Sequence, residues 1–172
     1  TDTITDLGTG GADVVSVASG ASVTATVVAN YTASGTTTKN LGGAAANFAL
    51  ETTSTFLVDL DLAAAVTAST GGYKVTSTGT GAITGSDGDD TIINTSGAVT
   101  ITGGAGADTI TTALGATTII GGTGADVITL AAAGIAIDKI VVDQTAAGND
   151  TIGIFDVGAD LLQISAANLT GI

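Results

Sequence analysis

The sequence predicts an all-β chain, wound as a right-handed parallel β-solenoid. Three observations lead to this fold class. A glycine and aspartate frame returns every 18 residues, as "GSDGDDTII" at 85–93, "GGAGADTIT" at 103–111 and "GGTGADVIT" at 121–129. Short β-runs fill the intervals, "NTSGAVTIT" in one and "TALGATTII" in the next. The 172 residues include 26 Gly and five aromatics but no Pro, Cys, Met, Trp or His, so the core must be stacked from small and β-branched side chains, which favour strands.

Each 18-residue unit reads as turn, strand, turn, strand, one coil of a solenoid. Ile92, Ile110 and Ile128 recur two places after the aspartate and are expected to stack inside, with adjacent coils about 4.8 Å apart. In the second half of the coil Val99 and Ile101 align with Thr117 and Ile119. Residues 1–84 are expected to form longer, irregular coils, from β-runs such as "SVTATVV", "TFLVDLDL" and "YKVTSTG" between Gly, Ser and Asn turns. Within them, "LDLAAAVTA" at 60–68 has some helical character, but its Val, Thr and flanking Gly favour strand or loop. Residues 85–129 are the regular coils and 130–172 the C-terminal coils or cap, all in one continuous domain. Asp126 and Asp150 are 24 apart, so a coil there should hold a six-residue insertion. The two ends share a plan, "DTITDLGTGGADVVSVAS" from Asp2 and "DTIGIFDVGADLLQISAA" from Asp150, as expected of a unit in a tandem array or of similar caps.

Charge narrows the partners. Fifteen Asp and Glu51 face only Lys39, Lys74 and Lys139, a net charge of −13. Phosphate binding needs a basic surface, so nucleic acid and anionic membrane are excluded as expected partners. An apolar content of 44% argues against disorder. No Cys or His exists to form disulfides or to ligate zinc or copper. The apolar stretch 127–137 is too short to span a bilayer. No signal peptide is visible and the chain starts at Thr1, so a processed product or a segment of a longer protein is expected.

The aspartates in the turns would only repel one another unless a cation lies between them. Glycine lets the backbone aim carbonyl oxygens inward, and Asp adds a charged oxygen at short reach. One turn supplies too few oxygens for Ca²⁺, which takes six to eight; two stacked turns, 85–90 with 103–108 or 103–108 with 121–126, can complete the shell. Mg²⁺ demands a compact octahedron and keeps its water, so it fits less well.

These residues resemble the GGxGxDxUx nonapeptide of RTX proteins, of the kind found in bacterial surface-layer and large adhesin proteins. The second and third segments match every fixed position, and Ser86 replaces the second glycine of the first. The resemblance implies that the solenoid continues into a calcium β-roll, with carboxylate ligands at Asp90, Asp108 and Asp126 and backbone oxygens around Gly85, Gly103, Gly104, Gly121 and Gly122. Asp87 and Asp89 occupy variable positions; Asp87 is counted with the ligands and Asp89 as a lesser candidate. Isolated turns add Asp13, Asp150 and Asp160 as lesser candidates. RTX rolls carry the repeat in both halves of a coil, whereas "NTSGAVTIT" and "TALGATTII" lack it, which leaves a second calcium row unsupported.

The expected function is a calcium-dependent, self-associating structural protein of an extracellular surface layer or filament, its partner being itself, with any cell-surface glycan unknown. The alternative is an accessory export and folding module of a larger adhesin, toxin or enzyme, kept unfolded at low cytosolic calcium. Ice binding through Thr pairs is a minor alternative, because the rows break at Ile120 and Val127. An enzyme is not expected. No His or Cys can act as base or nucleophile, Glu51 lacks an acidic partner by spacing, and Asp59 with Asp61 reads as a solvated strand face.

Overall fold

Side chains alternate across a strand, so a run such as Thr91, Ile92, Ile93 and Asn94 sends every second residue inward. In the computed structural model residues 2–7, 16–17, 22–29, 31–32, 38–39, 47–52, 58–59, 72–95, 98–113, 115–131, 136–142 and 148–164 are described, and all their regular structure is strand. The first strands are β1 (Asp2–Leu7), β2 (Ser16–Val17), β3 (Ser22–Val27), β4 (Tyr31–Thr32), β5 (Thr38–Lys39), β6 (Asn47–Thr52) and β7 (Val58–Asp59). The middle of the chain gives β8 (Lys74–Ser77), β9 (Ile83–Thr84), β10 (Thr91–Asn94), β11 (Thr100–Ala105), β12 (Thr109–Thr112) and β13 (Thr118–Thr123). The last are β14 (Val127–Thr129), β15 (Lys139–Val142), β16 (Thr151–Gly153) and β17 (Leu161–Ile164). The segment 60–68, with its question of helix or strand, lies outside the described residues, as do Asp13 and Asp61.

The strands alternate between two parallel sheets, which makes the chain a β-solenoid. One sheet runs β1-β3-β6-β8-β10-β12-β14-β16 and the other β17-β15-β13-β11-β9-β7-β4, while β2 and β5 form a small parallel pair. Thr91 pairs with Thr109 and Thr109 with Val127, so the coil repeats at 18 residues as the spacing predicts. The earlier coils are irregular: Val23 pairs with Phe48 and Ala49 with Lys74, a step of 25 each time, while Lys74 pairs with Thr91, a step of 17.

The step of 24 between Asp126 and Asp150 is also present, Val127 pairing with Thr151. The six extra residues are divided between two turns. From Val127 to Lys139, and from Lys139 to Thr151, the chain takes 12 residues where Thr109 to Thr118 takes nine. Each connection thus carries three more residues, and both sheets keep their parallel pairing.

Like residues meet across this register. Val75, Ile92, Ile110 and Ile128 form one inward column, each at most 1% exposed, and Ile83, Ile101, Ile119 and Ile140 form the facing one. Burying each such side chain contributes roughly 1.5–3 kcal/mol. The outward threonine rows break, Thr109 meeting Val127 and Thr102 meeting Ile120.

Candidate metal centre

The two sheets fix the turns between them. In every regular coil an aspartate comes immediately before the first residue of a strand: Asp90 before β10, Asp108 before β12, Asp126 before β14 and Asp150 before β16. Stacking the strands therefore stacks the aspartates in one column along an edge of the solenoid. Asp90, Asp108 and Asp126 are buried to 2%, 0% and 1% exposure, and Asp150 is half-buried.

A directional ladder of charge-assisted hydrogen bonds links them. The Asp90 N–H donates to Asp108 Oδ1 at 2.8 Å, Asp108 N–H to Asp126 Oδ1 at 2.9 Å, and Asp126 N–H to Asp150 Oδ1 at 3.1 Å. Each carboxylate thus uses one oxygen to bind the coil before it. The other oxygen of Asp108 and of Asp126, Oδ2, is buried with no hydrogen-bond partner. A buried, unsatisfied carboxylate oxygen is costly, and its natural partner is a cation.

The glycines make the cradle around these oxygens. A Cβ on Gly103 would collide with Asp108 Oδ2 and the Gly121 carbonyl oxygen, and one on Gly121 would collide with Asp126 Oδ2. At Gly85 the obstructing atoms are the Gly103 carbonyl oxygen and Asp90 Oδ2. Peptide and carboxylate oxygens therefore converge on the space beside each glycine. Gly104 and Gly122 take φ of 117° and 108°, a conformation that L side chains rarely adopt, and a Cβ on Gly122 would overlap the Gly104 carbonyl oxygen. Gly85 follows β9 directly, Gly103 and Gly104 lie in the last half of β11, and Gly121 and Gly122 in the last half of β13, so these five glycines stack beside the aspartate column.

The first turn differs. Ser86 stands at the position of Gly104 and Gly122, and outside glycine only Ile154 has positive φ among the described residues. The Ser86 N–H donates to Asp90 Oδ2 at 2.6 Å, the Ser86 hydroxyl lies 3.1 Å from both Asp90 oxygens, and the Tyr73 N–H donates to Asp90 Oδ1 at 2.5 Å. Asp87 and Asp89 are exposed; Asp89 Oδ1 accepts the Ala107 N–H at 2.7 Å from the next coil.

Electrostatics follow from burial. The Asp108 carboxyl is pushed from 3.8 up to about 8 by desolvation, with Asp90, Asp126 and Asp89 adding repulsion and the Asp90 N–H opposing it. Asp126 is raised by burial and by Asp150, and Asp138 by burial and by Asp160.

Asp138 belongs to a second column on the opposite edge. The Thr117 N–H donates to Asp138 Oδ1 at 2.8 Å, the Asp138 N–H to Asp160 Oδ1 at 3.0 Å, and the Asp156 N–H to Asp160 Oδ2 at 2.9 Å. Val99 and Thr117 precede β11 and β13 where Asp138 and Asp160 precede β15 and β17, so this edge carries carboxylates only in its last coils. The glycine frame gives no sign of Asp138. The signal that does is the triplet Asp138, Lys139, Ile140, which matches Asp108, Thr109, Ile110. Asp59 lies in β7, apart in sequence from both columns.

The donor set fits a hard cation, being wholly oxygen: carboxylates and peptide carbonyls, with no nitrogen or sulfur ligand available. Among the described residues no three acidic side chains gather around one point, as expected where each coil gives one carboxylate and the backbone gives the rest.

Comparison with known proteins agrees with this chemistry. The family described as "RTX calcium-binding nonapeptide repeat (4 copies)" matches residues 84–119 and again 113–132. No curated protein and no solved structure matched the chain. Repeats of this family bind calcium, are typically structural rather than catalytic, and are typical of exported, extracellular proteins. The 18-residue coils, the stacked parallel strands and the match all fall on one stretch, so residues 84–132 carry repeats of the RTX calcium-binding kind, which suggest a calcium-binding repeat module.

Proposed function

We propose that the chain is a calcium-dependent structural unit of an extracellular surface layer or filament, that calcium stabilises its repeat coils, and that the folded unit associates with further copies of itself. The observation that carries the calcium dependence is the pair of buried, unpartnered oxygens, Asp108 Oδ2 and Asp126 Oδ2, each beside a glycine that leaves room for no Cβ. Calcium would be held by these two carboxylates with the carbonyl oxygens of the adjacent turns, those of Gly103, Gly104 and Gly121 among them. The ion supplies the positive charge that a chain of net charge −13 lacks. Asp150 continues the same column and Asp160 ends the second, so both are further candidate ligands.

Self-association is supported by the surface around β16 and β17. Leu161, Leu162 and Ile164 are 52%, 42% and 49% exposed, and Val157 is 92% exposed. Val142, Ile152, Leu162 and Ile164 line a cavity of about 420 Å³ with Asn149 and Asp150 at its edge. This apolar surface is suited to a second copy, since strand edges and solenoid faces pair readily with their own kind.

The test is a calcium titration of the chain from chelator, followed by circular dichroism and light scattering with magnesium as control. Strand signal and large particles rising together with calcium but not magnesium support the proposal. Folding without particles favours the alternative, an accessory module of a larger exported protein. A chain folded in chelator and indifferent to calcium overturns the reading of the site.

A further inference from the structure

We infer that Ser86 takes, with its own N–H and hydroxyl, the place that a cation holds at the following turns, so that Asp90 closes the calcium row structurally and the row begins at Asp108. The inference rests on the calcium reading above. Three turns with the same spacing differ in one respect. Where glycine stands second, at Gly104 and Gly122, the backbone is left-handed and the Oδ2 of the turn's aspartate is buried without a partner. Where serine stands second, the backbone is not left-handed and the aspartate is provided for.

A carboxylate offers about four lone-pair sites. At Asp90 three donors face them: the Tyr73 N–H on Oδ1, the Ser86 N–H on Oδ2, and the one proton of the Ser86 hydroxyl, which lies 3.1 Å from both oxygens. The Ser86 hydroxyl oxygen also faces the Gly88 N–H at 3.3 Å, which fixes the turn further. Ser86 and Asp90 are both 2% exposed, so these bonds lie in a low-dielectric site where they are strong. A cation entering here would have to displace them, and it gains nothing that the serine has not already supplied. The first turn can therefore form before calcium binds. It gives the calcium coils a preformed surface on which to stack, through the Asp90 N–H to Asp108 bond.

The experiment uses the full chain. Calcium bound per chain is measured by titration calorimetry for the wild type, Ser86→Gly, Asp90→Asn and Asp108→Asn, and thermal unfolding in chelator is compared for the wild type, Asp90→Asn and Asp108→Asn. Ser86→Gly is expected to bind one more calcium per chain. In chelator, Asp90→Asn should lower the midpoint by roughly 5 °C, because an amide N–H then meets the Ser86 N–H. Asp108→Asn should raise the midpoint, because the amide keeps an acceptor for the Asp90 N–H and offers a donor to the Gly121 carbonyl. Equal stoichiometry in Ser86→Gly and wild type, or the loss of a calcium in Asp90→Asn as in Asp108→Asn, overturns the inference. If the wild type binds no calcium at all, the calcium reading fails. The chelator comparison then still decides the role of Ser86: opposite shifts keep the closure and like shifts overturn it.

Discussion

Asp108 concentrates the chemistry of the chain in one side chain. It is fully buried, it has like charges in the coils above and below, and it has one oxygen with no donor. At about one strand spacing, two carboxylates repel by roughly 3 kcal/mol in an effective dielectric near 20. Without a cation its proton is held up to about pH 8, against 3.8 for the free group. The folded chain then binds a proton that the unfolded chain has released, so the stability from this group is full below about pH 4 and is lost as pH rises through about 8. Unfolding midpoints in chelator should therefore fall from pH 5 to pH 8. Calcium needs the ionised form, so its stabilising increment should grow over the same window, and thermal scans with and without calcium at each pH check both signs. Sequence places Asp90, Asp108 and Asp126 on an equal footing, since spacing cannot show how many donors each oxygen meets. That difference arises from Ser86, whose one extra hydroxyl changes the turn without changing the period.

At the scale of the strand, burial alternates so regularly that neighbouring residues should respond very differently. Replacing Ile110, fully buried between Ile92 and Ile128, with Ala should cost about 2–5 kcal/mol, while Ala at exposed Thr109 should change stability by no more than about 0.5 kcal/mol. Denaturant unfolding in calcium measures both. Gly103→Ala should be as harmful as the core change both in chelator and in calcium, because the added methyl meets the Gly121 carbonyl oxygen as well as Asp108 Oδ2. The strands from β10 to β14 are legible in sequence because turn glycines, inward isoleucines and coil length repeat together. The division of the six-residue insertion into two turns is not. Each connection has only to let the chain reach the next strand, and a sequence such as "AAAGIAI" carries no repeating marker. Asp138 is hidden for the same reason, standing after a turn that lacks the glycine frame.

Over the whole molecule the coils behave as a row of nearest neighbours, in which calcium strengthens the contacts between particular pairs. At a hundredfold excess over its dissociation constant each bound ion adds about 2.7 kcal/mol, so two ions should raise the thermal midpoint by roughly 10–20 °C. A differential scan in chelator and in calcium reads this directly, and magnesium should give less. The solenoid class was legible from the 18-residue period and the small-residue core, whereas the longer steps near 25 had no repeating marker to reveal them. The aspartate ladder has a further consequence, because its three rungs from Asp90 to Asp150 run one way: each aspartate gives its N–H to the carboxylate of the aspartate in the coil after it. Two broken ends of such a stack would be chemically unlike. One break exposes an acceptor that water or any passing ion can serve, and the other strands a donor that only the next coil's carboxylate fits. The chain therefore has a grain, and adding coils along it is not equivalent in the two directions.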